Sequence, residues 1–418
     1  MRKVIGFECV HCGREHKVKE TRYTCLACGG NLQVIYDYNI IKKRLTYKSL
    51  EGNPDKSIWR YLDILPVEDH DNIPPVHVGW TPLYKAENLG KELGLNSLYI
   101  KDDGRNPTCS FKDRASAVVV ARALELRQKV ITGASTGNAA ASLSCLTGSL
   151  NVKTVIFVPK TAPEPKVAQL LVFGATVIMV DGTYDEAFDL CVKASDKYGW
   201  YNRNTGYNPY TREGKKTCAF EICEQLDWEA PHKVFVSVGD GNIISGLWKG
   251  FQDFQRLGIV EKLPQMIAVQ AEHSNAVKLA VEGDGEIRPV SGKTLADSIS
   301  VSLPRDGEAA VQAVRNSEGF AVSVTDDEIV RAIPEVARGA NVFAEPAAAA
   351  AFAGLKKAAA AGQLKEDETV VVVITGNGLK DVKNAMKSVG GPYHIKPDAE
   401  SLGKLLSEHE GLVATEEE

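Results

Sequence analysis

The chain lacks any apolar run near the roughly 18 residues that a membrane-spanning helix requires, so no transmembrane segment is predicted. Its N-terminus, Met-Arg-Lys-Val-Ile-Gly-Phe-Glu-Cys, lacks the apolar core of a secretory signal peptide. Positive charge is not in excess either, because the formal net charge at pH 7 is −5. This balance argues against a nucleic-acid-binding surface over the whole molecule. The sequence therefore predicts a cytoplasmic protein whose partners are neither membranes nor nucleic acids.

The 418 residues are 44% hydrophobic and 25% charged, which is ordinary for a globular protein. This length favours two or three domains with a large core. No internal repeat is visible.

Four of the nine cysteines form a paired pattern, in which Cys9-x2-Cys12 and Cys25-x2-Cys28 are separated by 12 residues. In a reducing cytosol, this spacing indicates a metal site rather than disulfides. Residues 1–36 are therefore predicted to form a zinc ribbon, with four thiolates around a tetrahedral ion. A unit this small depends on its metal for stability. Four thiolates leave no open coordination position, so a structural role is expected; iron is the alternative metal.

From Leu98 onward, short β-branched runs alternate with helical segments. Continuous apolar runs are typical of buried strands in a parallel sheet, which predicts an α/β fold. The predicted strands are 98–101, 130–133, 154–158, 176–180, 233–238, 265–270 and 369–374. The predicted helices are 112–127, 137–146, 162–173, 184–198, 215–226, 244–257, 326–338 and 346–361.

Unusual loops follow four of these strands, and ligand sites in open α/β sheets lie at this end of the strands. The first loop contains Lys112, at the start of a helix and beside an aromatic ring. A shielded lysine in such a place can lose its proton near neutral pH, as Schiff-base chemistry requires. The general alternative is a solvated lysine at a helix start.

The other three loops span residues 133–138, 238–246 and 374–381. The second loop leads into a helix and suits an anion, although an ordinary Ser/Thr helix cap gives the same pattern. The glycines of the third loop allow the backbone to close around a phosphate, and the dipole of the following helix adds to the attraction.

Five motifs lie in these loops and in the segments between them. They are Asn106-Pro107-Thr108-Cys109-Ser110-Phe111-Lys112-Asp113-Arg114, Ser135-Thr136-Gly137-Asn138, Asn208-Pro209-Tyr210-Thr211-Arg212-Glu213-Gly214-Lys215-Lys216-Thr217, Glu345-Pro346 and Thr375-Gly376-Asn377-Gly378-Leu379-Lys380. Together they resemble the pyridoxal-phosphate enzymes of the tryptophan-synthase-β fold type, and within them the threonine synthases, many of which carry a ribbon in front. The resemblance runs from about Cys9 to Pro392. It implies fold type II, with two open, mostly parallel α/β sheet domains and the cofactor between them.

The resemblance also implies the roles of the site residues. Lys112 holds pyridoxal 5'-phosphate as a Schiff base and then moves protons. The cofactor-binding residues are Lys112, Asn138 at the phenolic oxygen, Gly239, Asp240, Gly241, Asn242 and Ile243 at the phosphate, and Thr375 at the pyridine nitrogen. Ser135, Thr136 and Gly137 hold the substrate carboxylate. Lys101, Arg105, Arg212 and Lys216 are candidates for the substrate phosphate, and Asn208 also contacts substrate.

The implied domains are the ribbon 1–36, an arm 37–97, a large cofactor domain 98–127 with 200–396, a small α/β domain 128–199 and an acidic tail 397–418. The implied activity is a carbon–oxygen lyase reaction that converts O-phospho-L-homoserine and water into L-threonine and phosphate, and the implied assembly is a homodimer.

Two departures from the family pattern keep other activities open. Thr211 stands where the family usually has its substrate-phosphate arginine, and Arg212 follows one position later. The phosphate loop is short, has the length found in threonine/serine dehydratases, and contains Asp240, whose side chain is predicted to point away from the phosphate or toward the substrate amine.

The alternatives are a β-replacing enzyme that uses O-phospho-L-serine, of the cysteate or cysteine synthase type, and a threonine/serine dehydratase. A scaffold that recruits a partner through its ribbon is a further alternative, which the intact lysine site argues against.

Overall fold

The computed structural model describes residues 3–135, 137–162 and 164–409, and three sheets occur among these residues. The strands are β1 (Val4–Cys9), β2 (Glu15–His16), β3 (Leu32–Tyr36), β4 (Leu83–Lys85), β5 (Ser97–Asp102), β6 (Val130–Ala134), β7 (Lys153–Pro159), β8 (Thr176–Val180), β9 (Tyr201–Asn202), β10 (Lys233–Ser237), β11 (Gln265–Ala271), β12 (Ala321–Val324) and β13 (Thr369–Ile374). The α-helices are α1 (Tyr38–Ile41), α2 (Tyr47–Glu51), α3 (Glu87–Leu93), α4 (Lys112–Glu125), α5 (Asn138–Thr147), α6 (Glu164–Val172), α7 (Tyr184–Tyr198), α8 (Tyr210–Lys215), α9 (Thr217–Gln225), α10 (Asn242–Leu257), α11 (Ala276–Glu282), α12 (Gly307–Asn316), α13 (Asp326–Ala340), α14 (Pro346–Ala360), α15 (Val382–Ala385) and α16 (Ala399–Glu408).

The larger sheet has the strand order β12-β11-β10-β13-β5-β4, and only β4 runs antiparallel to its neighbour. Alternate side chains of β13 enter two different buried clusters. Val371 and Val373 lie in the cluster that includes α10, whereas Val370, Val372 and Ile374 lie in the cluster that includes α14. Helices thus cover both faces of the sheet, which is why its strands are apolar throughout. The predicted parallel α/β fold is confirmed.

The smaller sheet has the order β8-β7-β6-β9 and is parallel throughout. Strand β9 pairs with β6 through Ile131 and Thr132. This sheet therefore takes a strand from beyond residue 199, where the sequence prediction ended the small domain. The difference arises because a two-residue strand leaves no periodic signal in the sequence.

The ribbon is an antiparallel sheet with the order β2-β1-β3. It packs on the body of the molecule rather than standing apart. The ring of Phe7 meets Tyr210 edge-on with centroids 5.9 Å apart, and the Tyr36 hydroxyl donates to Glu213 Oε2 at 2.6 Å. The apolar side chains of the ribbon thus belong to the main core, which compensates for the small size of the unit.

The predicted acidic tail, 397–418, contains helix α16, which the sequence analysis did not anticipate. Asp398 caps this helix by accepting a hydrogen bond from the Ser401 N–H at 2.7 Å. The helix buries none of its residues, so capping is its main visible support. In the described part of the chain, no helix is both long and apolar enough to cross a bilayer.

Candidate active site

Lys112 is the first residue of α4, and its loop is attached to the end of strand β13. The Phe111 N–H donates to the Thr375 carbonyl at 2.9 Å, and the Asn377 N–H donates to the Cys109 carbonyl at 3.0 Å. Cys109 has a φ of +58°, a left-handed conformation that favours glycine. Two sequence-predicted loops are thus brought together by backbone hydrogen bonds.

The amine of Lys112 faces two connected spaces, a narrow slot of about 60 Å³ and a cavity of about 450 Å³. Burial lowers the pKa of Lys112, while the nearby carboxylates of Glu345 and Asp240 oppose that shift. A lowered pKa increases the fraction of neutral amine, which is the form that reacts with a carbonyl. The environment therefore suits Lys112 for Schiff-base chemistry.

The slot is closed on one side by residues 239–243 and the start of α10. A Cβ at Gly239 would lie 3.0 Å from Ile299 Cα, and Gly241 has a φ of +93°. Both positions therefore favour glycine, and this part of the chain lines the slot at the beginning of a 16-residue helix. Asp240 Oδ1 accepts from the Arg305 N–H at 3.1 Å. Its carboxylate is thus held by the 305 backbone rather than left free to approach an anion in the slot.

Lys215 also lines the slot, a position that the sequence analysis did not assign to it. Its side chain is fully buried, and its amine donates to Asn242 Oδ1 at 2.6 Å. Among the described residues, no carboxylate oxygen lies within 4.0 Å of this amine. Burial, followed by the charges of Lys112 and Arg203, holds the pKa of Lys215 well below its usual value. A buried amine without a counter-ion favours an anion in the slot.

Thr375 lines the slot, and Asn138 lines the larger cavity. Asn138 Nδ2 donates to both carboxylate oxygens of Glu345, at 3.1 and 3.2 Å. Glu345 is buried, and burial raises its pKa. The Glu345-Pro346 motif was visible in the sequence, but only the structure shows that this glutamate orients Asn138.

The larger cavity contains part of the predicted carboxylate-binding loop. Ser135, Gly137 and Asn138 line it, and Ser135 Oγ accepts from the Gly137 N–H at 3.2 Å. Thr136, which was predicted to bind substrate with them, lies outside the described residues. Arg203, which directly follows β9, also lines this cavity. The sequence analysis did not assign it to the site, because no motif of the resemblance covers it.

Four residues predicted to contact substrate line neither space. Asn208 is buried, and its side chain donates to the Asn202 carbonyl at 2.7 Å. Arg212 Nη2 donates to Asp306 Oδ1 at 2.6 Å, on the ribbon side of the molecule. The remaining two, Lys101 and Lys216, have their amines in buried ion pairs, with Glu221 and Asp253 respectively. The physical reason is the same for each of these side chains, since each already has a hydrogen-bond or ion-pair partner inside the protein.

Lys101 belongs to a buried network beneath the site. Arg114 contacts Asp103 Oδ2 at 2.6 Å and Glu221 Oε1 at 2.5 Å, and Lys101 Nζ contacts Glu221 Oε2 at 2.7 Å. These four side chains are fully buried. Burial acts to raise the pKa of Glu221, but the charges of Arg114 and Lys101 outweigh it and lower the pKa to about 2.

We expect Glu221→Gln to lower the free energy of unfolding by about 3–5 kcal/mol, because it leaves two buried cations without their shared anion. The folded pKa of about 2 lies below the ordinary 4.5. The carboxylate therefore stabilises the native protein by roughly 3 kcal/mol above pH 4.5, and this contribution is lost as the pH falls toward 2. Urea unfolding between pH 3 and 7 measures both effects. Glu282→Gln, in an exposed pair with Lys278, is the matched control, and an equal loss in both variants would contradict the interpretation.

The four ribbon cysteines form a compact cluster with all sulfurs within 4.8 Å of one another. The Cys9–Cys28, Cys12–Cys28 and Cys12–Cys25 Sγ distances are 3.4, 3.5 and 3.7 Å. A tetrahedron with metal–sulfur bonds of about 2.3 Å has edges of about 3.8 Å. The donor set and its spacing therefore fit a single tetrahedral ion.

Comparison with known protein families identifies the class of enzyme to which the chain belongs. Residues 75–376 match the family model described as "Pyridoxal-phosphate dependent enzyme", and the lysine, the glycine loop and the two-sheet architecture are those of this class. The chain is 40% identical over 403 residues to the threonine synthase of Methanocaldococcus jannaschii, with 96% of this chain and 99% of the relative covered. It is 37% identical over 351 residues to that of Halalkalibacterium halodurans, with 82% and 96% covered. The chain thus belongs to the threonine synthase family of pyridoxal-phosphate-dependent enzymes.

Solved structures support the same fold. A threonine deaminase from Solanum lycopersicum is similar with a TM-score of 0.62 and 26% identity, covering 80% of this chain and 84% of that one. The diaminopropionate ammonia lyase of Escherichia coli is similar with a TM-score of 0.65 and 19% identity, covering 77% and 89%. Because the ammonia lyase is only 19% identical to this chain, its similarity concerns the fold alone.

The residues of the slot fit pyridoxal 5'-phosphate. Lys112 supplies an amine with a lowered pKa for the aldehyde, and the cradle at Gly239 and Gly241 has no room for side chains. Lys215 supplies a buried amine with no carboxylate beside it in the described structure. Thr375 is a neutral residue at the far end of the slot. The aldehyde, the phosphate and the ring nitrogen of pyridoxal 5'-phosphate thus each have a suitable partner among these residues.

Proposed function

We propose that the protein is a cytoplasmic threonine synthase, which converts O-phospho-L-homoserine and water into L-threonine and phosphate. The observation that carries this proposal is 40% identity to a threonine synthase over 96% of the chain. The cavity beside Lys112 supports it, because its volume of about 450 Å³ suits a small amino-acid phosphate.

In this proposal, the bound cofactor supplies an electron sink at the amino-acid α-carbon. Lys112 acts as the mobile base and acid, taking the α-proton and a β-proton from the substrate and returning protons to the product. Ser135, Thr136 and Gly137 hold the α-carboxylate at the start of α5, where N–H groups favour anions. Asn138, oriented by Glu345, donates toward the cofactor ring.

Thr375 and the residues 239–243 complete the proposed cofactor site. A neutral hydroxyl at the pyridine nitrogen does not hold a proton there as a carboxylate would, so elimination and replacement are favoured over transamination. The backbone N–H groups of Gly239, Gly241 and Ile243, with Asp240 and Asn242 between them, enclose the phosphate. Lys215 is the residue that we add to this set.

We also propose that the four cysteines hold zinc in a structural role. The support is the closed set of four sulfurs, which leaves no position for a substrate or a reactive water. Iron uses the same ligands, and metal analysis of the purified protein distinguishes the two.

The proposed function is tested by measuring phosphate release from O-phospho-L-homoserine and from O-phospho-L-serine, with the amino-acid products identified. We expect L-threonine from the first substrate. The displaced Arg212 favours a second candidate, a β-replacing enzyme that uses O-phospho-L-serine. Turnover of O-phospho-L-serine with sulfite or sulfide, and none of O-phospho-L-homoserine, would establish that candidate instead. Ammonia release from threonine or serine would indicate a dehydratase.

A further inference from the structure

Arg203 is a buried cation on the wall of the cavity that contains Lys112. It follows β9, and its backbone N–H donates to the Thr132 carbonyl at 2.8 Å, which holds it at the strand end. Only 2% of the residue is exposed. Its Nε donates to Ser116 Oγ at 3.1 Å and its Nη1 to Thr205 Oγ1 at 2.8 Å. Its Nη2 has no hydrogen-bond partner among the described atoms.

The guanidinium of Arg203 thus contacts hydroxyl groups and, within the described residues, no carboxylate oxygen within 4.0 Å. A buried charge without an opposite charge is costly. Burial lowers the pKa of Arg203 to about 10, which still leaves the group positive at neutral pH. The positive charge of Arg203 gains an opposite charge only when an anion enters the cavity.

The other arginines near the site are already engaged. Arg212 is paired with Asp306 on the ribbon side. Arg305 also lines the cavity, but its guanidinium is paired with Asp185 at 2.8 Å and is partly open to solvent. Lys215 faces the glycine loop of the slot. The cavity therefore offers Arg203 as its buried guanidinium without a carboxylate partner in the described structure.

We propose that Arg203 binds the phosphate group of the substrate, and this inference rests on the proposed function. Its two outer nitrogens, Nη1 and Nη2, form the fork that matches two phosphate oxygens. The Cγ–O bond of O-phospho-L-homoserine breaks with its electron pair on the phosphate oxygen, so the negative charge on the leaving group increases until that oxygen gains a proton. Arg203 stabilises this developing charge, and its loss affects kcat as well as KM.

The experiment compares wild-type holoenzyme with Arg203→Gln and Arg203→Lys. The probes are a phosphonate isostere of the substrate, in which a methylene replaces the ester oxygen, and L-norvaline, which lacks the phosphonate. Binding is followed by the absorbance change of the bound cofactor. We expect Arg203→Gln to weaken isostere binding on the order of 100-fold and norvaline binding less than about threefold, because only the anionic contact is lost. Arg203→Lys retains a point charge and recovers part of the affinity.

Lys215→Gln is the matched control, because it removes the other buried cation of the site. It is expected to weaken pyridoxal 5'-phosphate binding in an absorbance titration, whereas Arg203→Gln leaves that affinity within about threefold of wild type. Equal isostere affinity in wild type and Arg203→Gln overturns the inference. A parallel loss of isostere and norvaline binding also overturns it, because it indicates a structural role.

Turnover separates this inference from the proposed function. Wild-type enzyme that makes no L-threonine overturns the proposed function, while the comparison of isostere with norvaline still decides whether Arg203 recognises a phosphate-like group. Wild-type enzyme that makes L-threonine, together with an Arg203→Gln variant of unchanged kcat/KM, overturns the inference alone.

Discussion

Lys112→Ala is expected to lower the rate of L-threonine formation by at least about 10⁴-fold. The lysine is the only proposed group that both attaches the cofactor and moves protons at the substrate, and positioned acid–base catalysis alone contributes about 10²–10⁴. The lowered pKa of Lys112 is the structural basis of this expectation. Turnover is measured with the cofactor in excess, and the absorbance band of a lysine-bound cofactor is recorded in parallel.

Lys356→Ala is the control for this experiment. Lys356 lies on the outer side of α14, half exposed and paired with Glu335, so its removal is expected to change neither the band nor the rate. A primary amine added to Lys112→Ala is expected to restore a small fraction of the activity, because it replaces the missing base. A variant that keeps its lysine-bound band, or more than a tenth of wild-type turnover, contradicts the assignment.

Removal of the proposed ribbon metal is expected to have the largest effect on stability. Structural zinc sites contribute apparent binding free energies of about 10–16 kcal/mol in isolated ribbon-sized peptides, and the ribbon is part of the main core through Phe7 and Val34. We expect Cys25→Ser, or exhaustive chelation, to lower the thermal unfolding midpoint and to remove the first cooperative step of unfolding. Metal content and calorimetry measure these changes.

The ribbon also contacts the residues that hold the glycine loop. Asn31 Nδ2 donates to Asp306 Oδ1 at 3.0 Å, and the same carboxylate accepts from Asn242 Nδ2 at 2.7 Å and Ser245 Oγ at 2.9 Å. Metal loss is therefore expected to weaken cofactor binding as well as stability. Cys145→Ser is the control, since Cys145 lies in α5, away from the cluster. Loss of turnover with an unchanged unfolding midpoint would show that the metal is not purely structural.

The strands and the helices between them were largely predictable. Strand β13 and helix α7 begin and end where the sequence predicted, because a run of six β-branched residues and a Thr183–Glu186 capping box are local signals. Residues 276–324 were not assigned, although they contain α11, α12 and β12. Strand β12 has four residues at the sheet edge, so it lacks the length that makes a buried strand recognisable.

The cofactor side of the site was predictable for a related reason. Lys112, Asn138 and Thr375 stand in short loops directly after strands, and the carboxyl ends of parallel strands converge on one edge of a sheet. The substrate cations were not predictable in this way. Arg212 lies in a motif and Lys101 in the strand before one, yet their partners are Glu221 and Asp306, at least 94 residues away.

By itself, the sequence determined the α/β class, and it singled out the ribbon cysteines, Lys112 and the glycine loop as site candidates. Each of these depends on local spacing, on backbone conformation or on the alternation of strand and helix. The tertiary structure alone decided which cations are neutralised inside the core and which remain available to a ligand. It assigned Lys101 to a buried network, and it left Arg203 and Lys215 facing the site without a carboxylate partner. Charge pairing depends on which distant carboxylate folds against each side chain, and no spacing along the chain encodes that contact.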